Sequence, residues 1–407
     1  MSRPSAPSPS ADGLFKRGFG LKQEIKGELD RDYHSELVER VIAEGRRLRV
    51  GDVEIRLAKE FGFCYGVDRA VDYAYETRRK FPDRRIFLTA EIIHNPRVNR
   101  RLIEMGVGFL SGQYADGIGR DDLRPEDVVL LPAFGVGIEE LERLRATGCV
   151  LVDTTCGSVV HVWKRVERYA ADGYTSIIHG KYDHEETRAT ASYAFSQGRG
   201  HYLIVRDEAE AEIVCDFIRG EGSVEAAAER FAPCVSPGFD FARDLERVGV
   251  ANQTTMLSSE SLRIGEMFRA AMAARYPDDP IEDRFRSFDT ICTATQERQD
   301  AVIEMMADPP DVMIVIGGFN SSNTGHLREI AVERCPTFHI EGPEGLISAG
   351  RIRHKPEAGS AETIESENWL PERRPIAIGV TAGASTPNRV VGEAIERLVE
   401  LSGSAMV

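Results

Sequence analysis

Three times along this chain an apolar run ends in a cysteine and passes straight into an amphipathic helix. The segments are VEIRLAKEFGFCYGVDRAVDYAYETRRK, CVLVDTTCGSVVHVWKRVERYAADG and RFRSFDTICTATQERQDAVIEMMAD. A unit repeated three times obliges each copy to fold alike, so the repeat limits the architecture more than any bulk property. Apolar residues recur at helical spacing after the cysteine: Val67, Ala70, Val71 and Ala74 in the first copy, Ala301, Val302, Met305 and Met306 in the third. Each cysteine unit is followed by a second strand with a polar loop, in RIFLTAEIIHNPRVNRRL, YTSIIHGKYDHEETRATA and DVMIVIGGFNSSNTGHLREIA. A third strand with a loop closes each copy, in DVVLLPAFGVGIEELERL, RVGVANQTTMLSSESLRIGEMF and PIAIGVTAGASTPNRVVGEAIERL.

Alternating strands and helices predict an α/β protein of three similar small parallel-sheet domains. In such sheets the loops after the strand ends gather at one edge, where ligands bind. The cysteines and the polar loops all follow strands, so a pseudo-threefold arrangement directs them at one centre. The expected spans are an N-terminal extension over 1–50, then domains over 51–155, 156–286 and 287–390. A C-terminal helix and tail follow over 391–407, with the helix at 391–401 packing back on the first domain. Residues 1–30 read as a mostly disordered tail. An insertion near 196–245 holds Cys215 and Cys234, and the Gly-, Pro- and charge-rich stretch near 342–374 reads as a loop.

Acidic residues outnumber basic ones, giving a net charge of −15. That balance argues against non-specific binding to nucleic acid or to an anionic membrane surface. No apolar run is long enough to cross a bilayer. The seven cysteines are odd in number and widely spaced, unlike a secreted disulfide framework. A cytoplasmic protein is expected.

Cys149, Cys215, Cys234 and Cys335 occupy apolar or inserted segments without repeating, and are read as packing. Cys64, Cys156 and Cys292 occupy one repeated position and are read as ligands of a shared metal group. Three thiolates suit zinc or an iron–sulfur cluster. A four-iron cluster ordinarily takes four cysteines, so three leave one iron open, which marks a reactive site rather than a structural one.

His94 in HNP and His184 in DHEE follow second strands, and Ser321, Ser322 and Asn323 hold the matching place in the third copy. Ser385 in TAGAS follows a third strand. Imidazole, hydroxyl and amide groups at helix starts suit the oxygens of a small phosphorylated ligand, gripped mainly by hydrogen bonds. Glu186, beside His184, reads as a proton donor, with Thr254 as its relay and Gln253 as an orienting group. Glu185 and Glu186 also fit a helix first turn.

The motifs FGFCYGVDRAV, EIIHNPRV, DTTC, IIHGKYDHEET, NQTT, ICTATQERQ, GFNSSNT and GVTAGAS occur in this order. Together they resemble the 4-hydroxy-3-methylbut-2-enyl diphosphate reductase family, over roughly residues 32–400. The DYHSELVERVIAEG leader is similar to the longer plant and cyanobacterial branch. The resemblance implies an iron–sulfur oxidoreductase carrying a [4Fe–4S] cluster on Cys64, Cys156 and Cys292. The implied reaction is reductive dehydroxylation of the allylic diphosphate to isopentenyl and dimethylallyl diphosphate, the last step of the methylerythritol phosphate route. By motif, the diphosphate contacts fall on His94, His184, Ser321, Ser322, Asn323 and Ser385, and the proton source on Glu186 with Thr254 and Gln253. Thr295 matches a further pocket position. A ferredoxin or flavodoxin is the implied electron donor, and the chain is expected as a monomer or homodimer. Two positions depart from the pattern: Phe134 stands where many members carry histidine, and Gly157 follows Cys156 where proline is common. The rival readings are an enzyme resembling quinolinate synthase, which needs no external electrons, and a non-catalytic metal-binding regulator.

Overall fold

The computed structural model describes residues 13–288, 290–357, 360 and 362–403. The chain divides into two compact units, one of residues 1–118 with 293–407, the other of 119–292.

In the first unit a five-stranded sheet runs in the order Thr337–Ile340, Val312–Ile316, Ile376–Ala382, Val53–Leu57, Arg47–Val50. All neighbours are parallel except the last pair. The strand Val312–Ile316, of sequence VMIVI, is buried along its whole length. A parallel strand covered on both faces calls for such a continuous apolar run. Val38 and Val41 from the helix Glu36–Ala43, and Val391, Ile395 and Leu398 from the helix Asn388–Leu401, pack on this sheet as one core. Outside this sheet, the strands Ile86–Leu88 and Val107–Phe109 pair in parallel. In the second unit the order is Phe285–Ser287, Val248–Asn252, Thr175–His179, His201–Val205, parallel throughout. Val128–Leu131 and Val150–Asp153 form another parallel pair.

The repeat carries one strand more than the sequence reading expects. Val107–Phe109, His201–Val205 and Thr337–Ile340 each pair with the second strand of their copy. These are short edge strands of three to five residues, too brief for alternation to stand out. The expected insertion at 196–245 therefore contains a regular strand. Its helix Glu208–Arg219 and residues Cys215, Phe231 and Cys234 lie in the core of the second unit.

Three further expectations change. Val53–Leu57 does not stay with the span 51–155; it pairs along its length with Ile376–Ala382. The strand before Cys64 thus completes the sheet of the third copy, just as the strands before Cys156 and Cys292 pair with Val128–Leu131 and Val248–Asn252. The stretch near 342–374 is not a loop: Arg351–His354 and Ile364–Glu367 form an antiparallel hairpin, with Ile352, Trp369 and Leu370 in the core. The expected tail over 1–30 is not disordered throughout: the helix Lys22–Tyr33 begins within it, whereas residues 1–12 lie outside the described residues. The helix Asn388–Leu401 packs against this helix and against Glu36–Ala43.

The Lys22–Tyr33 sequence is too charged to hold a helix by propensity alone; tertiary contacts supply what is missing. Ile25 is fully buried. Asp32 accepts hydrogen bonds from Tyr75 Oη at 2.8 Å and Arg101 Nε at 2.8 Å. Burial opposes the ionised form of Asp32, but Tyr75 and Arg101 outweigh it and hold the carboxyl below its ordinary value. The helix Pro96–Glu104, which carries Arg101, is thereby tied to the N-terminal segment. Replacing Asp32 by Asn should cost about 2 kcal/mol of stability at neutral pH, measured by chemical denaturation. Because the folded value is depressed, the gap from wild type should shrink as the pH falls through it.

Candidate functional site

Each repeated cysteine is anchored by the same backbone bond. The Cys64 N–H donates to the Ala384 carbonyl at 3.1 Å, the Cys156 N–H to Ala133 at 2.9 Å, and the Cys292 N–H to Thr254 at 3.2 Å. In every case the acceptor lies in the loop after a third strand, beside which the cysteine-bearing strand runs in parallel. Cys64 and Cys156 are the N-caps of the helices Tyr65–Lys80 and Gly157–Ala171, and Cys292 immediately precedes Thr293–Met305. A helix N-terminus favours negative charge and so suits a thiolate ligand. Gly157 begins its helix with φ outside the left-handed region, so the missing proline changes no backbone geometry that only glycine can adopt.

All seven cysteines are thiols, and they fall into two classes. Cys64, Cys156 and Cys292 are partly exposed, whereas Cys149, Cys215, Cys234 and Cys335 are buried. Burial pushes these four thiols up, Cys215 to about 12. They are poor ligands and poor nucleophiles, as packing residues should be. Partial exposure at helix starts leaves Cys64, Cys156 and Cys292 with the donor chemistry of thiolate ligands.

In the first unit the polar loops meet. The Ala384 N–H donates to Asn323 Oδ1 at 3.0 Å, and Ser385 Oγ donates to the His94 carbonyl at 3.2 Å. A Cβ on Gly318 would lie 2.3 Å from that same carbonyl, and one on Gly383 1.9 Å from Thr324 Oγ1. Only glycine permits these approaches, which explains the small residues of GGFN and TAGAS. Ser321 caps its helix by accepting from the Thr324 N–H, and Ser322 and Asn323 open the first turn. All three serines, Asn323 and His94 are at most 8% exposed. Asn323 spends its oxygen on Ala384, while its Nδ2 is buried without a hydrogen-bond partner among the described residues. A buried donor of this kind costs stability unless a ligand accepts from it. His94 donates from Nδ1 to Glu91 at 3.1 Å.

In the second unit His184 caps the helix Glu185–Ala194, its Nδ1 accepting the Glu186 N–H at 3.1 Å. The proton therefore sits on Nε2, making that atom a donor. Phe134 packs edge-on against the His184 ring, 5.3 Å between centroids. The residue that departs from the common histidine thus braces a neighbouring histidine. Glu186, 1% exposed, accepts the Thr254 N–H at 2.6 Å and faces Thr254 Oγ1 at 3.0 Å. Gln253 accepts from the Lys181 N–H and Thr187 Oγ1 and donates to Thr255 Oγ1. Its amide thereby ties the loop before His184 to the loop after Val248–Asn252. Thr295 is fully buried in the first turn of its helix.

Sequence reasoning passed over Arg298. This guanidinium, 4% exposed, donates to the Gly62 carbonyl from Nε at 3.2 Å and from Nη2 at 2.7 Å. It fixes the turn two residues before Cys64. The signal was present: Arg298 shares the helix face of Ala301 and Val302, where a charge is out of place without a partner.

Residues 55–399 match the LytB protein family. The chain belongs to that family. The 4-hydroxy-3-methylbut-2-enyl diphosphate reductase of Thermosynechococcus vestitus is 49% identical over 400 residues, covering 98% of this chain and 97% of the relative. The one from Gloeobacter violaceus is 50% identical over 396 residues, covering 96% and 93%. A solved (E)-4-hydroxy-3-methyl-but-2-enyl diphosphate reductase, the terminal enzyme of the non-mevalonate pathway, aligns with TM-score 0.52 and 28% identity, over 85% of this chain and 99% of that one. The Plasmodium falciparum E-1-hydroxy-2-methyl-but-2-enyl-4-diphosphate reductase, 20% identical with TM-score 0.62 over 85% and 87%, shares the fold. Among the described residues of this LytB family member, no helix is long and apolar enough to cross a membrane.

Lysine cannot reproduce the two-pronged bond of Arg298. Arg298→Lys should loosen the Gly62 turn, and Cys64 should alkylate roughly tenfold faster while Cys156 is unchanged, read by mass spectrometry. Equal labelling of wild type and variant would show that the clamp is dispensable.

Proposed function

We propose that this LytB family member is a 4-hydroxy-3-methylbut-2-enyl diphosphate reductase, converting its substrate to isopentenyl and dimethylallyl diphosphate with release of water. Near full-length relatives of that name support the reading. The observation that carries the binding side of it is the buried Asn323 Nδ2, a donor awaiting an acceptor beside Ser385 and His94. Cys64, Cys156 and Cys292 are assigned as ligands of one [4Fe–4S] cluster, on the strength of their matching backbone anchors and shared accessibility. When bound, the cluster supplies two electrons, one at a time. A ferredoxin or flavodoxin is the proposed donor, and the protein is assigned to the cytoplasm.

The chain's own residues account for the remaining demands. Ser321, Ser322, Asn323 and Ser385, with His94 and His184, hold the diphosphate through hydrogen bonds. Neutral donors dominate, so little charge has to be desolvated to build the site. Loss of the hydroxyl as water needs a proton at its oxygen, and a second proton completes the new C–H bond. Glu186 supplies the first, with Thr254 Oγ1 hydrogen-bonded to its carboxyl and Gln253 fixing the loops around both. His184 is held to donate from Nε2 by the Glu186 N–H on one side and the Phe134 ring on the other.

Anaerobic turnover with product analysis tests the assignment. Wild type should consume electrons and release both products. Glu186→Gln keeps the shape and loses the proton, so turnover should fall at least ~100-fold with iron content unchanged. Normal turnover by that variant would remove Glu186 from the role. A colourless zinc protein would favour the regulator reading, and turnover without electrons the dehydratase-like one.

A further inference from the structure

The loop from Gly317 to Ser321 joins the strand Val312–Ile316 to the helix Ser322–Val332, and it sets where Ser321, Ser322 and Asn323 point. On one side it rests against the backbone of His94. On the other side its carbonyls are taken by two donors that no motif foretold. The His339 ring, in the edge strand Thr337–Ile340, donates from Nε2 to the Gly317 carbonyl at 3.0 Å. The Lys355 ammonium donates to the Phe319 carbonyl at 2.7 Å. The two clamps are themselves joined, because the Lys355 N–H donates to the His339 carbonyl at 2.9 Å in an antiparallel bridge. The Phe319 ring also packs edge-on against the His339 ring, 5.2 Å between centroids.

Lys355 directly follows the first strand of the hairpin Arg351–His354/Ile364–Glu367. That hairpin is anchored: Ile352 is in the core, His354 Nε2 is 2.8 Å from Ser366 Oγ, and Trp369 Nε1 donates to the Ser348 carbonyl. The ammonium therefore arrives on a fixed stem rather than a loose surface chain. A charged donor makes a stronger bond to a carbonyl than a neutral one does. With the Gly317 and Phe319 carbonyls drawn toward the hairpin side, the Gly318 carbonyl accepts the Ser321 N–H at 3.0 Å and the turn closes into the helix start. Burial holds His339 down at about 4, so its ring stays neutral and the clamp does not depend on physiological pH.

We propose that Lys355 is a positioning residue for diphosphate binding: its hairpin-borne ammonium fixes the Phe319 carbonyl and so sets the Ser321–Asn323 turn in its gripping geometry. This rests on the function proposed above. Lys355 need not touch substrate; it acts through the backbone of the loop. The added positive charge also favours an anion at the adjoining helix start.

The test uses anaerobically purified holoenzyme, with the allylic diphosphate as substrate and inorganic diphosphate as competitor. Lys355→Met should raise both KM and the inhibition constant of inorganic diphosphate about tenfold, with kcat within about twofold and iron content unchanged. Lys355→Arg, which keeps a cationic donor, should recover most of both constants. A Met variant indistinguishable from wild type overturns the proposal. So does equal loss in the Met and Arg variants, which would mark a packing role. Where Met is not tolerated in this half-buried place, Lys355→Gln, one bond shorter and uncharged, is judged by the same two constants. Wild type that neither turns over the substrate nor binds inorganic diphosphate would instead refute the function on which the proposal rests.

Discussion

The backbone bond from each repeated cysteine to the neighbouring loop is the constraint on which the site depends. A parallel strand pair delivers two chain ends to the same sheet edge, and one N–H to carbonyl bond locks them in register. Cys64, Cys156 and Cys292 are anchored by this one device to Ala384, Ala133 and Thr254. The acceptor loops are also the loops of Ser385, Phe134 and Gln253. Thiol placement and polar-group placement are therefore set by the same hydrogen bond, and neither can drift without the other. Arg298 and Lys355 extend the principle: both are cations bonded to carbonyls of loops that carry functional groups.

The electrostatics of the polar loops follow from the neutrality of their donors. Serine, asparagine and a histidine with a fixed tautomer can be buried at modest cost when each has a partner. A cluster of buried arginines would demand compensating acids. Arg298 and Lys355 are turned toward backbone oxygens, where charge strengthens a structural bond. An acidic chain can in this way present a local anion site without carrying a basic patch.

Much of this was legible in the sequence because it was repeated. Cys64, Cys156 and Cys292 separate from the other four cysteines by position alone; in the structure they are partly exposed and the other four buried. His94, Asn323 and Ser385 could be named from their places after strands, and hydrogen bonds link their loops in the first unit. What repetition does not touch stayed hidden. The edge strands Val107–Phe109, His201–Val205 and Thr337–Ile340 are too short to carry a period. The helix Lys22–Tyr33 depends on Ile25 and Asp32 meeting partners far along the chain. Lys355 lies in a segment whose composition reads as loop, and only its tertiary reach to Phe319 gives it a purpose.

The pairing of Val53–Leu57 with Ile376–Ala382 has a consequence for how the molecule is made. The strand that leads to Cys64 is synthesised roughly 320 residues before its parallel partner. Closing so long a loop is slow, and nothing nearer in the chain offers Val53–Leu57 the same partner. On a ribosome the Cys64 turn lacks its acceptor while the whole of residues 119–292 is made. Its carbonyl acceptor, Ala384, is made only after that unit. The anchoring of Cys64 is thereby deferred until Ala384 has been made, and a chain truncated before that residue lacks the acceptor that would fix this thiol.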